Sequence, residues 1–208
     1  MKTALCIFTK DYLELLEDLE NPPILEDILN LPLTMQSRET CETDANFLQL
    51  LPYAAIEVMG KGLSPCLLTY RRPVTGTEGR LHGAMSVGFG GHVDTLPSNV
   101  PLLTHLFEEL KRELKEELGL ILKENGDTIL GLASSSLVYD TSNDVGRHHL
   151  GIFVRLTPDD FETFDLNVEK LEISSLEMKS LGSLATTHIE ELESWSKIFV
   201  SMIVRETQ

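Results

Sequence analysis

Hydrophobic and polar positions fall into two periodicities along this chain. From Leu102 to Leu118 the apolar residues Leu103, Leu106, Phe107, Leu110, Leu114 and Leu118 recur at steps of three and four. That is the spacing of one face of a helix turning about 100° per residue, and it predicts a helix over Leu102–Leu118. Shorter helical patterns run over Asp11–Leu19 and Ile24–Leu33, separated by the breaker Asn21-Pro22-Pro23. Apolar runs of strand length predict strands at Thr3–Phe8, Leu51–Met59, Pro65–Arg71, Leu81–Gly91, Thr128–Leu137, His148–Leu156 and Met178–Leu184. Lys61-Gly62 supplies a hairpin turn between the second and third of these. In His148–Leu156, Leu150, Ile152 and Val154 form the apolar face, alternating with His149, Gly151 and Phe153. Near the end, Thr187-x-x-Glu190 has the pattern of a capping box. It predicts a helix continuing through Ile189, Leu192, Trp195, Phe199, Met202 and Ile203, whose apolar residues suit core packing.

The first of these helices carries the candidate chemistry. Glu109, Glu113, Glu116 and Glu117 lie beside its apolar stripe at i,i+3 and i,i+4 spacing, where like charges repel by a few tenths of a kcal/mol per pair. A hard divalent cation removes that repulsion. Magnesium takes a few carboxylates and keeps sites for water and phosphate oxygens. Gly119 then falls where a helix-ending residue with positive φ is needed. The competing reading is a solvated charged helix, in which Glu108, Arg112 and Glu116 pair at four-residue spacing.

The complete string Arg112-Glu113-Leu114-Lys115-Glu116-Glu117-Leu118-Gly119-Leu120 favours the metal. It matches R-E-U-x-E-E-x-G-U, with U aliphatic, the core of the Nudix box. The chain therefore resembles the Nudix hydrolases, and the resemblance implies an α/β fold, the Nudix α/β/α sandwich with a mixed β-sheet. It also implies that Glu113, Glu116 and Glu117 hold magnesium (or manganese), that one of them serves as base, and that Arg112 orients a box carboxylate. A downstream carboxylate often completes such sites. Asp159, Asp160, Glu162 and Glu169 are available here, and the sequence does not choose among them.

The upstream half departs from the pattern. Counting back from Arg112, the box glutamate falls on Thr104 and the box glycine on Ser98. The pair Gly90-Gly91 lies earlier, which points to an insertion over Asp94–Pro101, a stretch rich in turn formers. Asp94 and Glu109 are the candidate replacements for the missing glutamate.

Arg71, Arg72 and Arg80 flank the loop before the glycine pair. As guanidinium groups suited to bidentate phosphate contacts, they are candidate substrate ligands. Gly90, Gly91 and His92 complete the candidate substrate-binding set. The competing roles are pairing with the abundant acids for the arginines and a hydrogen-bonded structural role for His92. His148 and His149 are adjacent on a predicted strand and point to opposite faces, so they cannot easily share one metal. The stretch from Thr69-Tyr70-Arg71-Arg72 through Gly88-Phe89-Gly90-Gly91-His92-Val93-Asp94 is similar to a bacterial and phage branch of Nudix proteins described as phosphoesterases. It is also similar to isopentenyl-diphosphate isomerases, but those need a catalytic cysteine, a place that Cys66 does not fill.

Charge and composition narrow the partners. The 208 residues carry 33 acids against 17 bases, a net charge of −16. This disfavours nucleic acid and anionic membrane and is compatible with a small anionic substrate where magnesium and local arginines concentrate positive charge; the resemblance implies that this substrate is a nucleotide. Cys6, Cys41 and Cys66 show no zinc-ligand spacing, so free thiols in a reducing cytoplasm are expected. The apolar stretch at the start lacks the features of a signal peptide. The expected organisation is an N-terminal extension over 1–50, packing on the core or on a second subunit of a homodimer, and a Nudix hydrolase domain over 51–208. The expected reaction is magnesium-dependent cleavage of a phosphoanhydride bond in a nucleoside diphosphate linked to another moiety. A non-catalytic nucleotide sensor and, less favoured, a diphosphate isomerase are the alternatives.

Overall fold

The computed structural model describes residues 2–18, 20–60, 64–72, 83–96, 99–124, 136–166 and 175–206. The chain divides into two compact units. One comprises Met1–Tyr53, Gly90–Lys111 and Glu124–Val154, and the other Ala54–Phe89, Arg112–Lys123 and Arg155–Gln208.

In the first unit, β1 (Thr3–Phe8) pairs antiparallel with β2 (Leu33–Ser37) in the register Leu5↔Met35. On its other side β1 pairs with the start of β3 (Phe47–Met59), with Ile7 opposite Leu48. The predicted helices are shorter than their apolar patterns: α1 covers Thr9–Leu15 and α2 covers Leu25–Leu29. The Asp27 carboxylate accepts from the Ile24 amide at 2.9 Å and fixes the start of α2. Neither β2 nor the one-turn helix α3 (Arg38–Cys41) was expected from the pattern. Buried Cys6 and Cys41 face each other with their Sγ atoms 3.2 Å apart, and burial pushes both thiols up in pKa.

In the second unit, the end of β3 forms an antiparallel pair with β4 (Pro65–Arg71), with Glu57 opposite Leu67. The expected turn at Lys61-Gly62 lies outside the described residues. The expected strand Leu81–Gly91 is described from residue 83 and is broken into β5 (Met85–Ser86) and β6 (Gly88–Gly90). The break has a cause: the Val87 amide donates to the Ser196 hydroxyl at 3.0 Å instead of to a strand. Met85 bridges Leu192 in parallel, whereas β4 pairs antiparallel with β5, so the pairing is mixed.

The helix predicted over Leu102–Leu118 is present with those bounds, as α4. Leu102, Leu106, Phe107, Leu110, Leu114 and Leu118 are buried along it. Of the strand expected at Thr128–Leu137, residues 128–135 lie outside the described residues; Ser136–Val138 forms β7. It pairs antiparallel with β8 (His149–Leu156), Leu137 opposite Ile152. A single apolar face was expected for β8. Instead both faces are buried, with His149 at 3% and Phe153 at 1% exposure. A strand covered on both sides reads as a continuous run rather than an alternation.

Two C-terminal expectations are corrected. The strand expected at Met178–Leu184 is β9 (Glu177–Ser180) followed by a short helix, α5 (Leu181–Ala185). The Ser180 hydroxyl accepts from the Ser183 amide at 3.2 Å and so ends the strand by capping the helix. The Thr187-x-x-Glu190 pattern does not open the last helix. Ile189–Glu191 forms a single 3₁₀ turn, and α6 runs over Ser194–Glu206. No helix among the described residues is long and apolar enough to cross a membrane.

The α/β class and mixed sheet expected from the sequence are thus present. Among the glycines with positive φ, Gly90 and Gly119 have it for different reasons. Gly90 (φ +144°) approaches a neighbouring strand so closely that a Cβ would lie 2.2 Å from the Pro52 carbonyl oxygen. Gly119 (φ +68°) has open space around it, and only its backbone conformation is demanding. Gly119→Ala is expected to cost about 1 kcal/mol, the penalty for a Cβ in the left-handed region. Gly90→Ala, which adds a backbone clash, should cost at least about 3 kcal/mol. Urea unfolding of the two variants compares them; equal losses would contradict the role assigned to the close approach.

Candidate active site

The box sequence lies on the last turns of α4 and the residues just beyond it. The helix ends at Gly119, whose amide donates to the Lys115 carbonyl at 3.0 Å in a left-handed cap. The expectation of a helix-terminating glycine is met by its φ of +68°. Leu120 and Leu122 beyond it are buried. Ile121 accepts from the Glu162 amide at 2.9 Å, and Leu122 bridges Phe161. The segment that leaves the box is therefore tied to the loop carrying the downstream carboxylates.

Arg112 reaches two of the box glutamates. Its Nη2 donates to Glu113 Oε1 at 2.7 Å and its Nη1 to Glu116 Oε2 at 3.0 Å. Glu113 is largely buried at 17% side-chain exposure, while Glu116 is open at 61%. Each of these bonds engages one oxygen of a carboxylate that has two. The donor set is chemically right for magnesium, since hard cations take carboxylate oxygens, and Glu113, Glu116 and Glu117 are the residues that would hold it. The oxygens are not gathered in advance. Among the described residues, the group of His, Cys, Asp and Glu ligand atoms lying within 4.8 Å of one another belongs to Glu42, His92 and His149.

The other sequence candidates have separate settings. Arg71 pairs with Glu191 and donates to the Gly83 carbonyl at 3.2 Å. His188 first, then Arg71, holds the exposed Glu191 carboxyl down to about 2. Arg72 is more deeply engaged: its Nε donates to Glu193 Oε2 at 2.5 Å and its Nη2 to Glu193 Oε1 at 3.2 Å. Glu193 is 4% exposed and also accepts from the Ser86 hydroxyl at 2.7 Å. This links Arg72 to the strand break at Val87. Arg80 lies outside the described residues, as does Glu169. Gly91 and His92 are half-buried, and the His92 ring packs edge-on against His149 at 5.5 Å. Asp94, a candidate for the missing box glutamate, is ion-paired with Arg38 at 2.7 Å. Asp160 caps its own turn by accepting from the Thr157 amide at 2.7 Å. Asp159 and Glu162 are both exposed, and Glu162 is the one whose amide bonds to Ile121.

Sequence reading missed Glu193. Its partners Ser86 and Arg72 lie 107 and 121 residues away, and no local pattern marks such a pairing.

Comparison with known proteins bears on the fold. No protein-family model matches the chain. Protein YmaB of Bacillus subtilis (strain 168) is 29% identical over 166 residues, covering 80% of this chain and 76% of that protein. Among solved structures, Tm1382, a candidate Nudix hydrolase, superposes with a TM-score of 0.68 at 24% identity, over 98% of this chain and 99% of that one. A Nudix hydrolase from Alicyclobacillus acidocaldarius superposes with a TM-score of 0.51 at 12% identity, over 74% and 90% of the two chains. The chain has the fold of the Nudix hydrolase superfamily.

The two arginines should respond differently to removal. Arg72→Ala leaves the buried Glu193 without its cation and should cost about 3 kcal/mol. Arg71→Ala, which breaks an exposed pair, should leave the unfolding midpoint nearly unchanged. Chemical denaturation followed by circular dichroism tests both; a fully stable Arg72→Ala protein would show that the Glu193 contact is dispensable.

Proposed function

We propose that this protein is a magnesium-dependent hydrolase that cleaves a phosphoanhydride bond in a nucleoside diphosphate linked to a second moiety. The observation that carries the reading is the box itself: Arg112, Glu113, Glu116, Glu117 and Gly119 on one capped helix, in a chain with the Nudix fold. A charged helix serving only solubility has no need of an arginine bracing two of the acids.

Glu113, Glu116 and Glu117 would hold magnesium, and manganese is chemically equivalent at such a site. A bound ion polarises phosphoryl oxygens and lowers the pKa of a coordinated water. Arg112 keeps Glu113 and Glu116 oriented through its two bonds. A carboxylate takes the proton of the attacking water, and Glu162 is the candidate from the downstream loop. The excess of 33 acids over 17 bases works against long polyanions and suits a small substrate whose charge is met by the metal. In the same reading residues 1–50 are an extension packed on the catalytic core, with the Leu5 amide donating to the Val93 carbonyl at 2.8 Å.

The test is incubation with magnesium and a panel of nucleotide sugars, ADP-ribose, dinucleotides and nucleoside triphosphates, with products resolved by chromatography. Wild type should turn over at least one member. Glu116→Gln and Glu117→Gln should each lose about 10²–10⁴-fold in rate, the range for an acid–base or ligand carboxylate. Tight binding of one panel member without turnover would instead establish a sensor. Isomerisation of an isoprenoid diphosphate without phosphate release would establish an isomerase.

A further inference from the structure

We propose that Glu42, His92 and His149 form a zinc site separate from the box glutamates, with the Gln49 amide oxygen as its fourth ligand. All four residues belong to the first compact unit. Glu42 follows α3, Gln49 is on β3, His92 follows the glycine pair and His149 opens β8. The site would join four chain segments that are distant in sequence.

The geometry is that of a coordination shell drawn in slightly wide. Tetrahedral zinc bonds of about 2.0–2.1 Å put neighbouring ligand atoms about 3.3–3.4 Å apart. His149 Nε2 lies 3.5 Å from Glu42 Oε1, and a ligand nitrogen of His92 lies within 4.8 Å of both. Gln49 Nε2 sits 2.9 Å from His149 Nε2 and 3.2 Å from Glu42 Oε1.

The hydrogen bonds leave two polar atoms orphaned. His92 Nε2 and Gln49 Oε1 are both buried with no partner, which costs about 1–3 kcal/mol for each such group. Turning the Gln49 amide by 180° exchanges its oxygen and nitrogen, so that the oxygen takes the position facing Glu42 and His149. Without a cation that exchange would set an oxygen against two lone pairs. With a cation it supplies a ligand, so rotation and metal binding are coupled.

The histidine states fit as well. His149 Nδ1 donates to the Val145 carbonyl at 2.6 Å, which leaves Nε2 as the lone-pair nitrogen in the neutral ring. A backbone acceptor on the far nitrogen is the usual support of a metal-bound histidine. Burial, then the nearby Arg38 cation, pushes His92 down to about 4, so it is neutral at pH 7 and has no proton to surrender. Two imidazole nitrogens and one carboxylate suit zinc, whereas magnesium takes oxygen ligands.

The experiment uses the full chain, stripped with chelator and held in excess magnesium so that oxygen-only sites are filled. Zinc is titrated against a chromophoric chelator, and cobalt is added separately as an optical probe. The expected result is one zinc per chain, a cobalt visible spectrum with imidazole ligation, and an affinity at least about tenfold weaker in Glu42→Gln and His92→Asn. Glu116→Gln should bind zinc as wild type does. Absence of micromolar zinc binding by wild type, or unchanged affinity in both Glu42→Gln and His92→Asn, would overturn the proposal. Imidazole NMR of the wild-type protein reads the same question without variants. Zinc should shift the His92 and His149 ring signals together, and unshifted signals at saturating zinc would refute the site even if a variant failed to fold.

Discussion

A helix that sets Glu109, Glu113, Glu116 and Glu117 on adjoining positions is held only by what its other face buries. The repulsion among such acids is a few tenths of a kcal/mol per pair in an exposed helix. The neighbouring face of α4 buries Leu102, Leu106, Phe107, Leu110, Leu114 and Leu118, and each fully buried side chain of this kind contributes about 1.5–3 kcal/mol as an upper estimate. Burial wins by a wide margin. The acids can therefore be crowded for chemistry without endangering the helix, and Arg112 need only orient them. Gly119 completes the arrangement, because the chain must turn at once to send Leu120 and Leu122 back into the interior.

That helix was the most legible part of the sequence, and the reason is physical. Its period is long and unbroken, its terminating glycine stands in register, and every residue of the motif is within one element. Strands β1 and β4 were legible with their bounds for the same local reason. What escaped was non-local. The partner of Arg72 is 121 residues away, so no local pattern could mark its pairing with buried Glu193. Asp94, a plausible replacement for the missing box acid by position, is paired with Arg38, 56 residues earlier.

The misread boundaries were decided by single hydroxyls. Ser180 reads as the middle of an apolar strand, yet its side chain caps α5. Ser196 reads as a polar gap in a helical stripe, yet it takes the Val87 amide and splits β5 from β6. Serine offers the backbone a local alternative wherever geometry permits, and hydrophobic periodicity is blind to that competition. Likewise, β8 reads as half-polar because His149 and Gly151 interrupt its alternation. In the fold His149 is buried and bonded to Val145, so the interruption marks a polar cluster inside the protein rather than a solvent face.

The histidine cluster and the box differ in a way that bears on which cation each would accept. The box offers only carboxylates on one helix, with Glu116 open to water, and such a site suits an ion that keeps much of its hydration. The cluster offers two imidazoles on different segments, one fixed by a backbone carbonyl, in surroundings where buried atoms lack partners. A strongly hydrated ion would have to shed most of its water there for ligands it prefers less. Ligand type and burial together separate the two sites. With both proposals in place, the protein would hold one ion through nitrogen at the cluster and another through oxygen at the box, each site selecting its own cation.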